Sequence, residues 1–503
     1  MAWSKTLAGV FETASLLLEA KSALAHGEFP TMVGETLPFA PRTAPMLMAI
    51  GHDSRLTNTK HASLFPPSWG TLYQLTKLDD DAFAAAIAAF RPWYRKELTQ
   101  EPQGIDTRLS ATGSVGGRWM MDAIDSKTTL YFRPRYRKSP FFEATRRAGC
   151  KGYGIYNHMY LPDYYDDPIE EYWHLTNHVT LWDVGVERIV EITGPDASTF
   201  TNMLTPRDLT KCAVGQGKYV LITAEDGGII NDPVLLRIGE NQWWLALADS
   251  DAGLWARGLA VGSGMDVKVR EPEVYPAQIQ GPKSKNVMVA LFGDAILDIR
   301  YYWTMETDLD GIPLVISRTG WTGDVGYEVY LRDPSRGEEL WNRIMEAGAP
   351  HNIRPIAPSQ LRRIEAGIFR YGADMTIKDN PLEISGLERL VDDQSADYVG
   401  KEALMRIKAA GVKRKLVGIE LGGEPRSEEA GEACRAYKDG KEVGRVTAFV
   451  WSPRFEKNIG FVWVPIELAA PGNVLEVRTA NDTVQGKTVA LPFLDPKKNT
   501  PKT

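Results

Sequence analysis

Cysteine is scarce in this chain: three residues in 503, Cys150, Cys212 and Cys434, odd in number and far apart. That excludes a disulfide framework and the close thiol spacing of a structural zinc site, so packed, reduced thiols are expected. Long hydrophobic runs are lacking too. Charges interrupt the apolar stretches well before the ~18 residues that a spanning helix needs, and no basic start followed by an apolar segment opens the chain. A cytoplasmic protein with no membrane segment is the expectation. An excess of positive charge is also missing: the formal net charge of -7 excludes a surface that coats nucleic acid throughout, while a local basic patch stays open.

Several chemical signatures are absent as well. No GxxxxGK[ST] is present to cradle a phosphate, no GxGxxG follows a strand, and no GxSxG elbow offers a serine nucleophile. His174 and His178 stand four apart, but Leu175, Thr176 and Asn177 lie between them where a zinc protease needs Glu beside the first His. No metal site is expected. What remains is chemistry done through a bound organic cofactor.

What is present divides along the chain, and the length points to about three or four units. Residues 1–128 read as a small α-helical segment. FETASLLLEAKSALAHGEF puts Phe11, Ala14, Leu17, Leu18, Ala20 and Leu24 at helical spacing, with His26 and Gly27 at its end. TMVGETL and PRTAPMLMAIG follow; three short helices allow a helix-turn-helix unit and with it a nucleic-acid or partner role, although a plain helical bundle shows the same periodicity. DDDAFAAAIAAFRPWYRKEL adds a helix whose acidic start and basic end suit the helix dipole, and GIDTRLSATGSVGGR reads as a linker.

From residue 129 short strands alternate with helices. RIVEITG, KYVLITA, VLLRIG, QWWLALA, PLVISRTG and YEVYLR are strands; DAGLWARGLAVG, SRGEELWNRIMEAGA and PSQLRRIEAGIFRYG are helices. After the helix GKEALMRIKAAG the pattern is nearly all strand, with KDGK a hairpin turn. The fold class is therefore α+β: a body over 129–405, about three lobes in all, with a small C-terminal β-barrel or sandwich over 406–503.

Inside the body, DGGIINDPVLLRI sets Asn231 and Asp232 between two buried-looking runs. A carboxylate there costs several kcal/mol unless it meets a partner. Six stretches in order, ITGPDA (192–197), GGIINDPV (227–234), IQGPKS (279–284), RTGWTGDVGYEVYL (318–331), RRIEAG (362–367) and WSPRFEKNIGFVWV (451–464), identify a resemblance to the tetrahydrofolate-dependent methyltransferase family of the glycine cleavage T-protein over roughly residues 129 to 495. AGCKGYGIYNHMYLP, LTPRDL, EPEV and DNPLE resemble its dimethylsulfoniopropionate demethylase branch. The TGWTGDVGYE loop is more similar to the generic T-protein.

The resemblance implies a three-lobed folate-binding body and assigns the residues. Asp232 matches the aspartate facing the folate's reactive nitrogens, as orienting group or base; Glu328 matches the glutamate that reads the pterin amino edge; Tyr219 and Tyr330 line the folate. Arg454 would meet a folate or substrate carboxylate, or form a surface pair. A sulfonium wants aromatic faces. Tyr156, Trp303 and Trp321 are the candidates, with His158 for a substrate carboxylate or as a satisfied core histidine. The implied reaction moves a methyl group from dimethylsulfoniopropionate to tetrahydrofolate; its leaving group is a neutral thioether that needs no proton, so alignment dominates. Aminomethyl transfer, another folate-dependent N- or O-demethylation, and a non-catalytic folate-binding regulator with a nucleic-acid-binding N-terminal module are the alternatives. The partners are small molecules, with a homodimer left open.

Overall fold

In the computed structural model of the chain, the described residues are 7–24, 29, 32–33, 43–57, 72–73, 75–83, 136–426, 434–479 and 482–503. The chain divides into two compact units, Met1–Pro134 and Arg135–Thr503. In the first, the helices Leu7–Ala23 and Thr43–His52 bury Val10, Ala14, Leu17, Leu47 and Ile50 in one cluster, as the i, i+4, i+7 spacing requires. The expected cap at His26 and Gly27, most of TMVGETL, the helix over DDDAFAAAIAAFRPWYRKEL beyond residue 83, and the Gly/Ser/Thr linker lie outside the described residues. No described helix is long and apolar enough to cross a membrane.

Among the described residues, the second unit holds a five-stranded sheet, a six-stranded sheet, a closed barrel and two two-stranded sheets. The five-stranded sheet is antiparallel, in the order Lys268–Arg270, Ile189–Thr193, Gln242–Ala246, Val234–Gly239, Gly217–Tyr219. The six-stranded sheet runs Thr304–Leu309, Ile312–Ser317, Gly326–Leu331, Tyr275–Gln280, Val179–Asp183, Ile353–Pro355, with only the last pair parallel. The barrel closes in the order Arg414–Leu421, Lys457–Pro465, Lys441–Ser452, Arg435–Lys438, Val474–Arg478, Thr483–Val489. Its KDGK hairpin turns through Asp439 and Gly440, at φ 51° and 78°, the left-handed pair that a two-residue hairpin needs.

The strand Gly326–Leu331 is buried along its whole length and sorts its side chains by the period of two. Tyr327, Val329 and Leu331 join the core with Val287, Met288, Leu340, Trp341 and Ile344 from the helices Ser284–Phe292 and Gly337–Gly348. Tyr330 packs the other way, with Ile189, Leu236 and Trp244 of the five-stranded sheet. Glu328, two residues from Tyr330, is thereby aimed between the two sheets.

Two expected elements come out shorter. KYVLITA splits into Gly217–Tyr219 and Ile222–Thr223, because Val220 packs into the core of the five-stranded sheet while Leu221 packs with the barrel. PSQLRRIEAGIFRYG is helical only over Gln360–Glu365; Gly367 at φ 63° ends it, with its backbone pressed against Pro492.

Gly281 of IQGPKS sits at φ 118°, and a Cβ there would stand 2.6 Å from the His178 carbonyl oxygen and 2.7 Å from that of Leu175. Gly264 is also left-handed, at φ 70°, but opens to space. In chemical denaturation Gly281→Ala is expected to cost more than the roughly 1–2 kcal/mol of left-handed strain expected for Gly264→Ala. Equal losses would contradict this reading.

Candidate functional site

Asn231 and Asp232 separate into two roles. The Asn231 amide is a clamp: Nδ2 donates to the Ala248 carbonyl at 2.9 Å and to Ser250 Oγ at 2.7 Å, and Oδ1 accepts from Ala248 N–H at 3.1 Å. Asp232 follows, turned by Pro233. Its Oδ2 accepts from the Tyr219 hydroxyl at 2.9 Å. Its Oδ1 is shielded from solvent and has no hydrogen-bond partner among the described residues. Burial pushes the Asp232 carboxyl up to about 7, against the pull of the Tyr219 hydrogen bond.

Glu328 occupies the gap between the sheets with 3% of its surface exposed. Gln278, its direct partner across the ladder, donates Nε2 to Oε1 at 2.8 Å. The Thr319 and Tyr330 hydroxyls each donate to Oε2 at 2.7 Å. Burial still holds this carboxyl above the usual range. The Gln278 Oε1 is left without a hydrogen bond, in a side chain only 1% exposed.

A third buried pair stands at the barrel side. Arg363 Nη1 donates to Asp374 Oδ2 at 2.7 Å, and Thr447 of the barrel donates to Asp374 Oδ1 at 2.7 Å. This pair acts on Asp232 in opposite senses, Asp374 raising its pKa and Arg363 lowering it.

Tyr156 ends a two-stranded hairpin and lies within electrostatic reach of Asp232, Glu187 and Arg370. His158, two residues on, is exposed, at φ 60°, and its carbonyl accepts from Arg137 N–H at 2.9 Å. Trp303 carries the Arg300 guanidinium 3.8 Å above its ring, and Trp321 carries that of Arg363 at 5.6 Å. Trp321 packs with Leu175, Trp182, Val184 and Ile356. No ring-to-ring contact joins Tyr156, Trp303 and Trp321 among the described residues. Arg454 donates to the Tyr172 hydroxyl at 3.0 Å and stands 3.9 Å from Glu365, on the edge of a buried cluster of its own.

The structure thus joins Tyr219 to Asp232 and Tyr330 to Glu328, with Tyr156 close by, and sets Arg454, His158 and Trp303 in contacts of their own. Gln278, Thr319, Glu187 and the Arg363–Asp374 pair escaped sequence reasoning. Gln278 alone had a usable signal, a polar residue amid the apolar YPAQIQ strand. Among the described residues no group of three or more His, Cys, Asp or Glu is placed to hold a metal.

Two buried acceptors without hydrogen-bond partners among the described residues, Asp232 Oδ1 and Gln278 Oε1, fit a ligand that brings N–H donors. The amino and ring N–H groups of a reduced pterin meet that requirement.

Residues 141–394 match the GCVT N-terminal domain, and residues 414–495 match the glycine cleavage T-protein C-terminal barrel domain. The dimethylsulfoniopropionate demethylase of Ruegeria pomeroyi is 37% identical over 345 residues, 69% of this chain and 94% of that protein. An aminomethyltransferase of Desulfitobacterium hafniense is 30% identical over 367 residues, 71% of this chain and 98% of that protein. The crystal structure of glycine cleavage system aminomethyltransferase T from Bartonella henselae shares the fold, with a TM-score of 0.64 at 23% identity, covering 71% of this chain and 98% of that one. Residues 1–140 precede the matched segments. The chain belongs to the glycine cleavage T-protein family, with an N-terminal segment added to the family's two domains.

Proposed function

We propose that this chain is an enzyme that moves a methyl group from dimethylsulfoniopropionate to tetrahydrofolate, giving methylmercaptopropionate and 5-methyltetrahydrofolate. The observation that carries the reading is the pair of shielded acceptors, Asp232 Oδ1 and Gln278 Oε1, partnerless among the described residues of a T-protein fold. The likeness to a dimethylsulfoniopropionate demethylase supports the choice of donor. Aminomethyl transfer is the second reading, favoured by the TGWTGDVGYE loop and by the similarity to aminomethyltransferases.

When bound, tetrahydrofolate supplies the nucleophilic nitrogen that receives the one-carbon group. Glu328, fixed by Gln278, Thr319 and Tyr330, would read the amino edge of the pterin, and Tyr219 and Tyr330 would line its rings. Asp232, fixed through Oδ2 by Tyr219, leaves Oδ1 open and would take there the proton displaced from the folate nitrogen by methylation. The sulfonium carbon–sulfur bond breaks with its electron pair kept by sulfur. That departure needs no acid, so positioning and exclusion of water are what the chain must contribute.

Mass spectrometry of purified protein with tetrahydrofolate and, in turn, dimethylsulfoniopropionate, glycine betaine, dimethylglycine, vanillate and an aminomethyl-loaded lipoyl carrier separates the readings. Methylated folate from dimethylsulfoniopropionate, reduced at least a hundredfold by Asp232→Ala, is the expected result. One-carbon transfer from the lipoyl carrier alone would replace it with the second reading, and no product with any donor would refute both.

The Asp232 carboxyl near 7 makes kcat/KM rise about tenfold per pH unit below neutrality and level off above it. Asp232→Asn should flatten that limb. Because the folded-state pKa lies above the ordinary 3.8, the wild type loses stability as pH climbs from about 4 to about 7. The thermal midpoint of Asp232→Asn is therefore expected to gain on the wild type more at pH 8 than at pH 4; a constant difference would contradict the assignment.

A further inference from the structure

Gln278 and Gln280 lie two apart on the strand Tyr275–Gln280, so their side chains share a face. They are 1% and 0% exposed. Gln278 bonds Glu328 directly, whereas Gln280 bonds the loop that brings a further donor to Glu328. Both ends of the Gln280 amide are engaged: Nε2 donates to the Thr319 carbonyl at 3.3 Å, and Oε1 accepts from the Thr322 hydroxyl at 2.8 Å. An amide offers that donor and that acceptor together; a carboxylate has no donor, and a thioether has neither a donor nor a strong acceptor.

The loop between Thr319 and Gly326 is shaped around this amide. A Cβ on Gly320 or on Gly326 would collide with it, so the two glycines leave the room that Gln280 fills. The far half of the loop has other anchors. Thr322 Oγ1 accepts from the Asp324 N–H at 3.0 Å, Asp324 pairs with the buried Arg362 at 2.7 Å, and the Val325 carbonyl accepts from the Gly281 N–H at 2.9 Å. Gln280 ties the near end, at Thr319, to that anchored half.

Thr319 carries the consequence to Glu328. Its hydroxyl and that of Tyr330 each stand 2.7 Å from Oε2, while Gln278 holds Oε1 at 2.8 Å. Once the Thr319 backbone is released from Gln280, its hydroxyl is free to swing away and Oε2 rests on Tyr330. The carboxylate then loses one of the three contacts that set its orientation.

We propose that Gln280 is a positioning residue for folate recognition: by clamping Thr319 to Thr322 it sets the Thr319 hydroxyl on Glu328 and fixes how that carboxylate faces the pterin amino edge. This rests on the assignment of Glu328 to the pterin in the function proposed above. Because the effect passes through binding of folate, loss of the amide should raise KM for tetrahydrofolate and leave kcat at saturation near that of wild type. A latch that served the fold alone would lower the active fraction, and with it kcat, at unchanged KM.

The test is equilibrium binding of tetrahydrofolate, without a methyl donor, to the full chain as wild type, Gln280→Met, Glu328→Gln and the double variant. Gln280→Met keeps the length of the side chain and removes both bonds; it is expected to bind at least fivefold more weakly than wild type. The double variant should bind within twofold of Glu328→Gln, since Gln280 acts through Glu328. Losses that multiply in the double variant, or wild-type affinity in Gln280→Met, would overturn the proposal. Thr322→Val removes only the hydroxyl on Oε1 and should weaken binding in the same direction, while Thr322→Ser should not. If Gln280→Met does not fold, that pair decides, and wild-type affinity in Thr322→Val refutes the role. A wild type that binds tetrahydrofolate and is weakened by Glu328→Gln but not by Gln280→Met would sink this inference alone. A wild type that binds no tetrahydrofolate would sink the pterin reading with it.

Discussion

The burial of Glu328 between two sheets is the constraint on which the rest of the site depends. Removing a carboxylate from water costs several kcal/mol, and each hydrogen bond to a charged group returns roughly 1.5–3 kcal/mol. Three donors stand ready: the Gln278 amide and the Thr319 and Tyr330 hydroxyls. Desolvation still wins, since the carboxyl stays above its usual range. The balance holds only because strand register puts Gln278 and Ser317 on either side of Glu328, and because the Thr319 hydroxyl, 2.9 Å from that of Ser317, stands 2.7 Å from the carboxylate. A one-residue slip of either neighbouring strand would turn the donors to the opposite face.

The barrel contributes to the surroundings of Asp232 from outside the two sheets. Asp374 joins Arg363 of the short helix to Thr447 of the barrel, a buried pair whose rupture would cost about 3–5 kcal/mol. Val220 and Leu221, adjacent in sequence, pack into the five-stranded sheet and the barrel cluster respectively, so the segment between Tyr219 and Asp232 is held by both. Asp232 therefore cannot shift toward solvent without disturbing two cores, which keeps its carboxyl shielded and raised.

Much of this fold was legible because strands announce themselves by composition and turn residues. The barrel hairpin at KDGK, the strands VLLRIG, QWWLALA and YEVYLR, and the helix over Lys401–Ala410 stand where the pattern puts them. The two shortened elements failed for reasons that pattern does not carry: Gly367 ends its helix by backbone conformation, and KYVLITA breaks where two cores compete for neighbouring residues. The carboxylates of the candidate site were legible, since Asp232 and Glu328 stand out in apolar stretches. Its supporting groups were not. Thr319 lies just after a strand, where a hydroxyl raises no question, and only the fold brings it to Glu328. Arg454 and Trp303 show the converse: side chains with suitable chemistry that the fold engages with Tyr172 and Arg300.

The most direct test of the buried cleft as a pterin site is equilibrium binding of tetrahydrofolate, without any methyl donor, to the wild type and to Glu328→Gln. Gln keeps the shape of Glu328 but exchanges an acceptor for a donor at the pterin edge. Binding by the wild type, weakened at least tenfold in Glu328→Gln with the thermal midpoint preserved, is the expected result. No binding by the wild type, or equal affinity in the variant, would contradict the account.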